Sequence, residues 1–131
     1  MIFVDTSFWI ALATQRDDRH GAAIELIQRY GRQLVTSNHV RGEAWTFMNR
    51  RHGHRAAVGF LDLLERSPRL LLAFVSEEIE ERALVWLRAR GEREYSFVDA
   101  TSFALMRSLR IDESLAFDGD FAAAGFVELR V

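Results

Sequence analysis

The sequence has no cysteine, no lysine and a single proline, Pro68. Without thiols it can build neither a disulfide scaffold nor a cysteine-based zinc finger, so its stability must come from a packed core. Without lysine, the 17 basic side chains are all arginine, permanently charged forks that suit phosphate and carboxylate. Mechanisms that need a lysine amine are excluded. No apolar run approaches the roughly 18 residues of a membrane span, and Met1-Ile2-Phe3-Val4-Asp5 meets a charge too early for a secretory signal. The expectation is a cytoplasmic protein with no membrane partner. The net charge of -2 gives no general pull toward a polyanion, so any nucleic-acid contact must come from local clustering.

What is present is the material of one globular unit. The 131 residues are 49% hydrophobic and carry no repeat, low-complexity tract or linker, so residues 1–131 are expected to form a single domain. Short apolar runs at Ile2 to Val4, Leu34 to Val35, Leu70 to Phe74, Leu115 to Phe117 and Phe126 to Val131 have the length of buried strands. Helical spacing fills the intervals: His20 to Tyr30, Asn38 to Arg51, Arg55 to Glu65, Glu77 to Arg90 and Val98 to Leu109. Parallel strands need crossover helices, and the alternation therefore predicts an α/β fold with a mainly parallel central sheet covered on both faces. Ligands in such folds sit beyond the carboxyl ends of the strands.

Several acids fall at that edge. Asp5 follows the first apolar run and precedes a helix, where it serves equally as a helix N-cap or a ligand. Asp118 and Asp120, in Phe117-Asp118-Gly119-Asp120-Phe121, repeat the placement after the fourth run, where an Asp-Gly turn is the structural alternative. Glu43 lies within the stripe defined by Val40, Ala44, Phe47 and Met48, which would turn it inward or onto a cleft edge. Asp99 opens the most apolar helix, where Ser96-Phe97-Val98-Asp99 also reads as a capping box. An oxygen-only set of this kind selects a hard cation, Mg2+ or Mn2+, which can activate water and stabilise a phosphodiester transition state. The set reads as a metal-dependent nuclease site. Arg41, Arg50, Arg51 and Arg55, with His52 and His54 among them, form a local basic patch on and beyond the helix of Glu43. It serves either as an RNA grip or as a solvated helix end; the two histidines lack zinc-ligand spacing and read as surface residues.

Four blocks, Ile2-Phe3-Val4-Asp5-Thr6-Ser7, Val40-Arg41-Gly42-Glu43, Tyr95-Ser96-Phe97-Val98-Asp99-Ala100 and Ala116-Phe117-Asp118-Gly119-Asp120-Phe121, resemble in order and spacing the PIN-domain ribonucleases, specifically VapC-like toxins. The resemblance covers essentially the whole chain. It implies a three-layer α/β/α domain, acids that coordinate Mg2+ or Mn2+, and hydrolysis of single-stranded or looped RNA. It also implies a homodimer and a cognate antitoxin whose tail covers the acid pocket. By position, Asp5, Glu43 and Asp99 match the family's central acids. The fourth is Asp118 or Asp120, with Asp118 favoured as nearer the strand end, and Thr6 or Ser7 matches the hydroxyl that follows the first acid.

Other families with acid pockets fit less well. A phospho-accepting receiver domain needs a lysine, dehalogenase-like phosphatases need a second Asp where Ser7 stands, and no Gly-x-Ser-x-Gly elbow is present. The surviving alternative is a catalytically inactive PIN-like module that binds RNA or protein. Val40, Phe47, Trp86 and the Phe8-Trp9 pair look surplus to one core, which adds an expectation of an apolar dimer interface beside an antitoxin groove.

Overall fold

The computed structural model describes residues 1–131. The elements run β1 (Ile2–Val4), α1 (Thr6–Ala13), α2 (His20–Arg29), β2 (Leu34–Ser37), α3 (Asn38–His52), α4 (His54–Glu65), β3 (Leu70–Ala73), α5 (Glu77–Arg88), α6 (Phe97–Leu109), β4 (Glu113–Leu115), α7 (Asp120–Ala123) and β5 (Val127–Glu128). All four strand pairings are parallel and the sheet order is β3-β2-β1-β4-β5. Strand order runs outward from β1 in both directions, so a topological switch point lies between β1 and β4. Right-handed crossovers then put α1 to α4 on one face and α5 to α7 on the other. Packing agrees: α1 lies against α2 and α3, α3 against α4, α5 against α6, and α6 against α7. The α/β/α expectation holds, with a sheet that is wholly rather than mainly parallel.

Serine caps set three of the helix starts, through Ser37 to the Val40 amide, Ser76 to the Ile79 amide and Ser96 to the Asp99 amide. A cluster of 27 buried residues, including all of β1, forms the core. No helix is long and apolar enough to cross a membrane.

Two local readings differ from the sequence pattern. β4 begins at Glu113, where the side chain pairs with Arg32, and ends at Leu115, because the chain after Phe117 turns into the Asp118-Gly119-Asp120 bend. Gly119 takes φ +82, and a Cβ there would meet the Arg93 guanidinium at 3.4 Å. The supposedly surplus apolar residues are mostly core. Phe8, Trp9 and Val40 are fully buried, the Trp9 indole N–H donating to Thr36 Oγ1 at 3.1 Å, and Trp86 packs edge-on against Tyr95 and Phe103. Only Phe47 of that group is exposed, so these side chains do not by themselves call for a second subunit.

Candidate active site

Asp5 leaves the carboxyl end of β1 and caps α1. Its Oδ2 accepts from the Ser7 amide at 3.2 Å and from the Ser7 hydroxyl at 2.9 Å. The Ser7 Oγ in turn accepts from the Phe117 amide at 3.0 Å, which ties β1's exit to the segment that follows β4. Asp99 completes a capping box at the start of α6, accepting from the Ser96 amide at 3.1 Å. Asp118 starts the bend after β4, accepting from the Asp120 amide at 3.2 Å. One carboxylate oxygen from each of Asp5, Asp99 and Asp118 lies within 4.8 Å of the others, at the switch point between β1 and β4.

Capping and ligation therefore do not compete in this protein. Each of the three carboxylates commits one oxygen to its local turn, and the other has no protein partner. Those second oxygens are not sealed in, since Thr6 Oγ1 is the one fully buried side-chain polar atom without a hydrogen bond. Thr6 lines the same hollow as Asp5, Ser7, Glu43, Phe47, Asp99, Asp118 and Asp120. The two hydroxyls after Asp5 thus divide their tasks: Ser7 is spent on positioning, while Thr6 is unpartnered.

Burial dominates the electrostatics. Asp5 is 2% exposed, and desolvation, reinforced by the charges of Asp118 and Asp99, pushes its pKa up to about 7. Burial likewise raises Asp99 to about 6, with Asp120 and Asp118 adding to the effect, and raises Asp118. Three carboxylates held this way are unfavourable as anions unless a cation joins them. The residues present fit a hard divalent ion: an all-oxygen donor set, one oxygen of each carboxylate within 4.8 Å of the others, and one oxygen of each without a protein partner.

The remaining acids behave differently. Glu43 is exposed on α3, at the margin of the buried Val40, Ala44 and Met48 stripe, and it lines the hollow from the rim. The inward alternative for it is therefore replaced by the cleft edge. Asp120 is drawn off by Arg93, whose Nε donates to Oδ1 at 2.7 Å. Asp118, not Asp120, is the acid that lies within 4.8 Å of Asp5 and Asp99. Accordingly, Asp118→Asn is expected to reduce kcat/KM on RNA by at least about 100-fold, and Asp120→Asn by less than about tenfold. Equal losses in the two variants would place Asp120 among the ligands.

The basic patch is only partly assembled. Arg50 and Arg51 line a hollow with Glu43, Thr46 and Phe47. Arg41 precedes Glu43 by two residues, about 200° round the helix, and covers Phe74 at 5.7 Å beside Leu61 and Leu64. Arg55 lies on α4, exposed, outside both hollows. Arg41 and Arg55 therefore do not share the site with Glu43.

Sequence reasoning missed three other arginines. Arg130 donates to the Ala116 carbonyl at 2.8 Å, Arg19 to the Phe117 carbonyl at 2.6 Å, and Arg93 to the Asp118 carbonyl at 3.4 Å. Successive carbonyls of the segment that carries Asp118 are thus each held by a guanidinium. No local spacing could reveal this, since the partners are 14, 98 and 25 residues apart.

A family model described as PIN domain matches residues 2–127. The chain belongs to the PIN-domain family. This PIN domain is 55% identical over 130 residues to the 23S rRNA-specific endonuclease VapC20 of Mycobacterium tuberculosis, covering 99% of this chain and 98% of that protein. The crystal structure of Mycobacterium tuberculosis VapC20, described as a sarcin–ricin loop cleaving toxin, superposes with a TM-score of 0.96 at 53% identity over the full length of both chains. A toxin–antitoxin complex from Klebsiella pneumoniae gives a TM-score of 0.70 at 18% identity, covering 98% of this chain and 97% of that one, and shows the shared fold.

Proposed function

We propose that this chain, as one catalytic domain over residues 1–131, is a metal-dependent endoribonuclease toxin that hydrolyses a phosphodiester bond in looped RNA. The substrate we assign is the sarcin–ricin loop of 23S ribosomal RNA, on which the 55% identical relative is described as acting. The observation that carries the reading is the convergence of Asp5, Asp99 and Asp118 within 4.8 Å at the switch point of the sheet.

Asp5, Asp99 and Asp118 would hold Mg2+ or Mn2+. When bound, such an ion supplies Lewis acidity toward the phosphate and acidifies a water. Ser7 keeps Asp5 oriented and couples it to the Phe117 amide, so the ligands on β1 and after β4 keep their spacing. Thr6 lines the hollow with its Oγ1 buried and unpartnered. Glu43, exposed at the rim, takes the proton released as water adds to phosphorus, and the leaving oxygen takes a proton from solvent as its P–O ester bond breaks. Arg50 and Arg51 contact the phosphates beyond it. The family resemblance adds an antitoxin over the acid hollow and a second copy of the chain. The exposed apolar side chains that a partner would have to cover are Leu71, Phe74, Leu84 and Val85, rather than the Phe8-Trp9 pair.

An inactive interaction module would have no use for two buried carboxylates, Asp5 and Asp99, held beside a third at such cost, since binding RNA or protein does not repay it. The test is cleavage of purified ribosomes by purified protein. A single cut in 23S RNA is expected with Mg2+ or Mn2+, and none in excess EDTA or with Ca2+, whose looser coordination supports in-line attack poorly. Undiminished cutting in EDTA would overturn the metal mechanism.

A further inference from the structure

Phe47 is a large apolar side chain that the fold leaves partly uncovered. It stands 38% exposed on α3, one residue from buried Met48 and three from buried Ala44, and it belongs neither to the core cluster nor to the partly buried side chains packed on it. The side chains that share its two hollows are polar or charged except for Ile10. The Arg51 guanidinium carbon lies 5.9 Å from the ring centroid and the His52 ring 6.5 Å away, edge-on.

The ring's position gives it a use. The acid hollow and the arginine hollow share two residues, Glu43 and Phe47. Along α3, Glu43, Phe47, Arg50 and Arg51 recur at spacings of four, three and one, which places them on one side of the helix over about 12 Å of axis. A strand with its reacting phosphate at the carboxylates and a neighbouring phosphate at Arg50 and Arg51 must pass over Phe47. An exposed aromatic beside guanidinium groups is what an unpaired base stacks upon, because every base offers a π-face while its phosphates seek the cations.

We propose that Phe47 is a stacking platform for an unpaired base next to the scissile phosphate, and so a substrate-positioning residue of the site. The proposal rests on the RNA-cleaving reading above and adds to it the requirement for a flipped or single-stranded base at this position. A duplex, whose bases are stacked on one another, cannot satisfy it.

The test compares binding of two short labelled oligomers, followed by anisotropy in Ca2+ so that neither is cut. One is single-stranded RNA; the other is a ribose-phosphate chain of the same length without bases. Alanine at an exposed helical site favours the helix, so Phe47→Ala folds. Expected is about a tenfold loss of RNA affinity in Phe47→Ala and Phe47→Leu, near-complete retention in Phe47→Trp, and no change for any of them on the baseless chain. Arg50→Ala with Arg51→Ala should weaken both oligomers. Phe47→Ala binding RNA like the wild type, or losing both oligomers equally as it would if a second copy or another protein covered the ring, overturns the platform. So does a wild type that binds no RNA. Binding that depends on Phe47 without any cleavage in Mn2+ would sink the ribonuclease reading alone, and cleavage indifferent to Phe47 would sink the platform alone.

Discussion

Asp5→Asn is expected to abolish RNA cleavage, by about 1000-fold or more, while raising the melting temperature of the metal-free protein. The two effects have one cause. Asn caps a helix about as well as Asp, so the bonds from the Ser7 amide and hydroxyl keep an acceptor. What disappears is a charge at a site 2% exposed and crowded by Asp99 and Asp118. Removing it relieves desolvation and like-charge repulsion, by roughly 1–3 kcal/mol, or about 3–10 °C for a chain of this length. A residue that merely capped α1 would show neither effect. Differential scanning fluorimetry in EDTA, beside a cleavage assay, separates the cases: an unchanged or lowered melting temperature with retained cleavage would reduce Asp5 to a cap.

Stability of the metal-free protein is expected to fall as pH rises from about 4 to 8, against the usual behaviour of carboxylates engaged in ion pairs. Asp5 titrates near 7 and Asp99 near 6 in the folded chain, against 3.8 as the ordinary value. The folded state therefore binds these protons more tightly than the unfolded state does. Their contribution is fully present below about pH 4 and is lost as pH passes through 6 and 7, at most roughly 4 kcal/mol from Asp5 and roughly 3 kcal/mol from Asp99. A divalent ion reverses the trend, because it needs the same carboxylates deprotonated. In EDTA the melting temperature should decline across pH 5 to 8, while in millimolar Mn2+ the gain over EDTA should widen from almost nothing at pH 5. Stability that rises with pH in EDTA, or a Mn2+ gain independent of pH, would show that the carboxylates are not held as described.

Much of this was legible in the sequence because the periodicities are strong and the acids stand where strands end. Asp5 and Asp118 mark the exits of β1 and β4, and strand order alone decides that these exits are adjacent. The ambiguity between cap and ligand at Asp5 and Asp99 could not be resolved from type and spacing. A carboxylate has two oxygens, and only coordinates show that one is used locally while the carboxylates themselves converge. Apolar spacing on α3 leaves Glu43 either inward or at a cleft edge, and Phe47 either in the stripe or surplus to it, because it does not show how wide the buried strip is; the strip closes at Val40, Ala44 and Met48. Geometry favours Asp118 over Asp120 because Arg93 meets Asp120 across 27 residues of chain, a contact invisible to local spacing. Phe8, Trp9 and Val40 looked surplus only because the depth of a core between two helical layers cannot be judged from a list of side chains.

The most direct measurement is anomalous diffraction at the manganese edge from crystals of the wild-type protein soaked in Mn2+. A peak is expected between Asp5, Asp99 and Asp118, about 2.0–2.3 Å from an oxygen of each or from waters that bridge to them, and it should vanish in Asp99→Asn. Manganese seated elsewhere, or absent from the three carboxylates under conditions in which the same protein cuts RNA, would contradict the site.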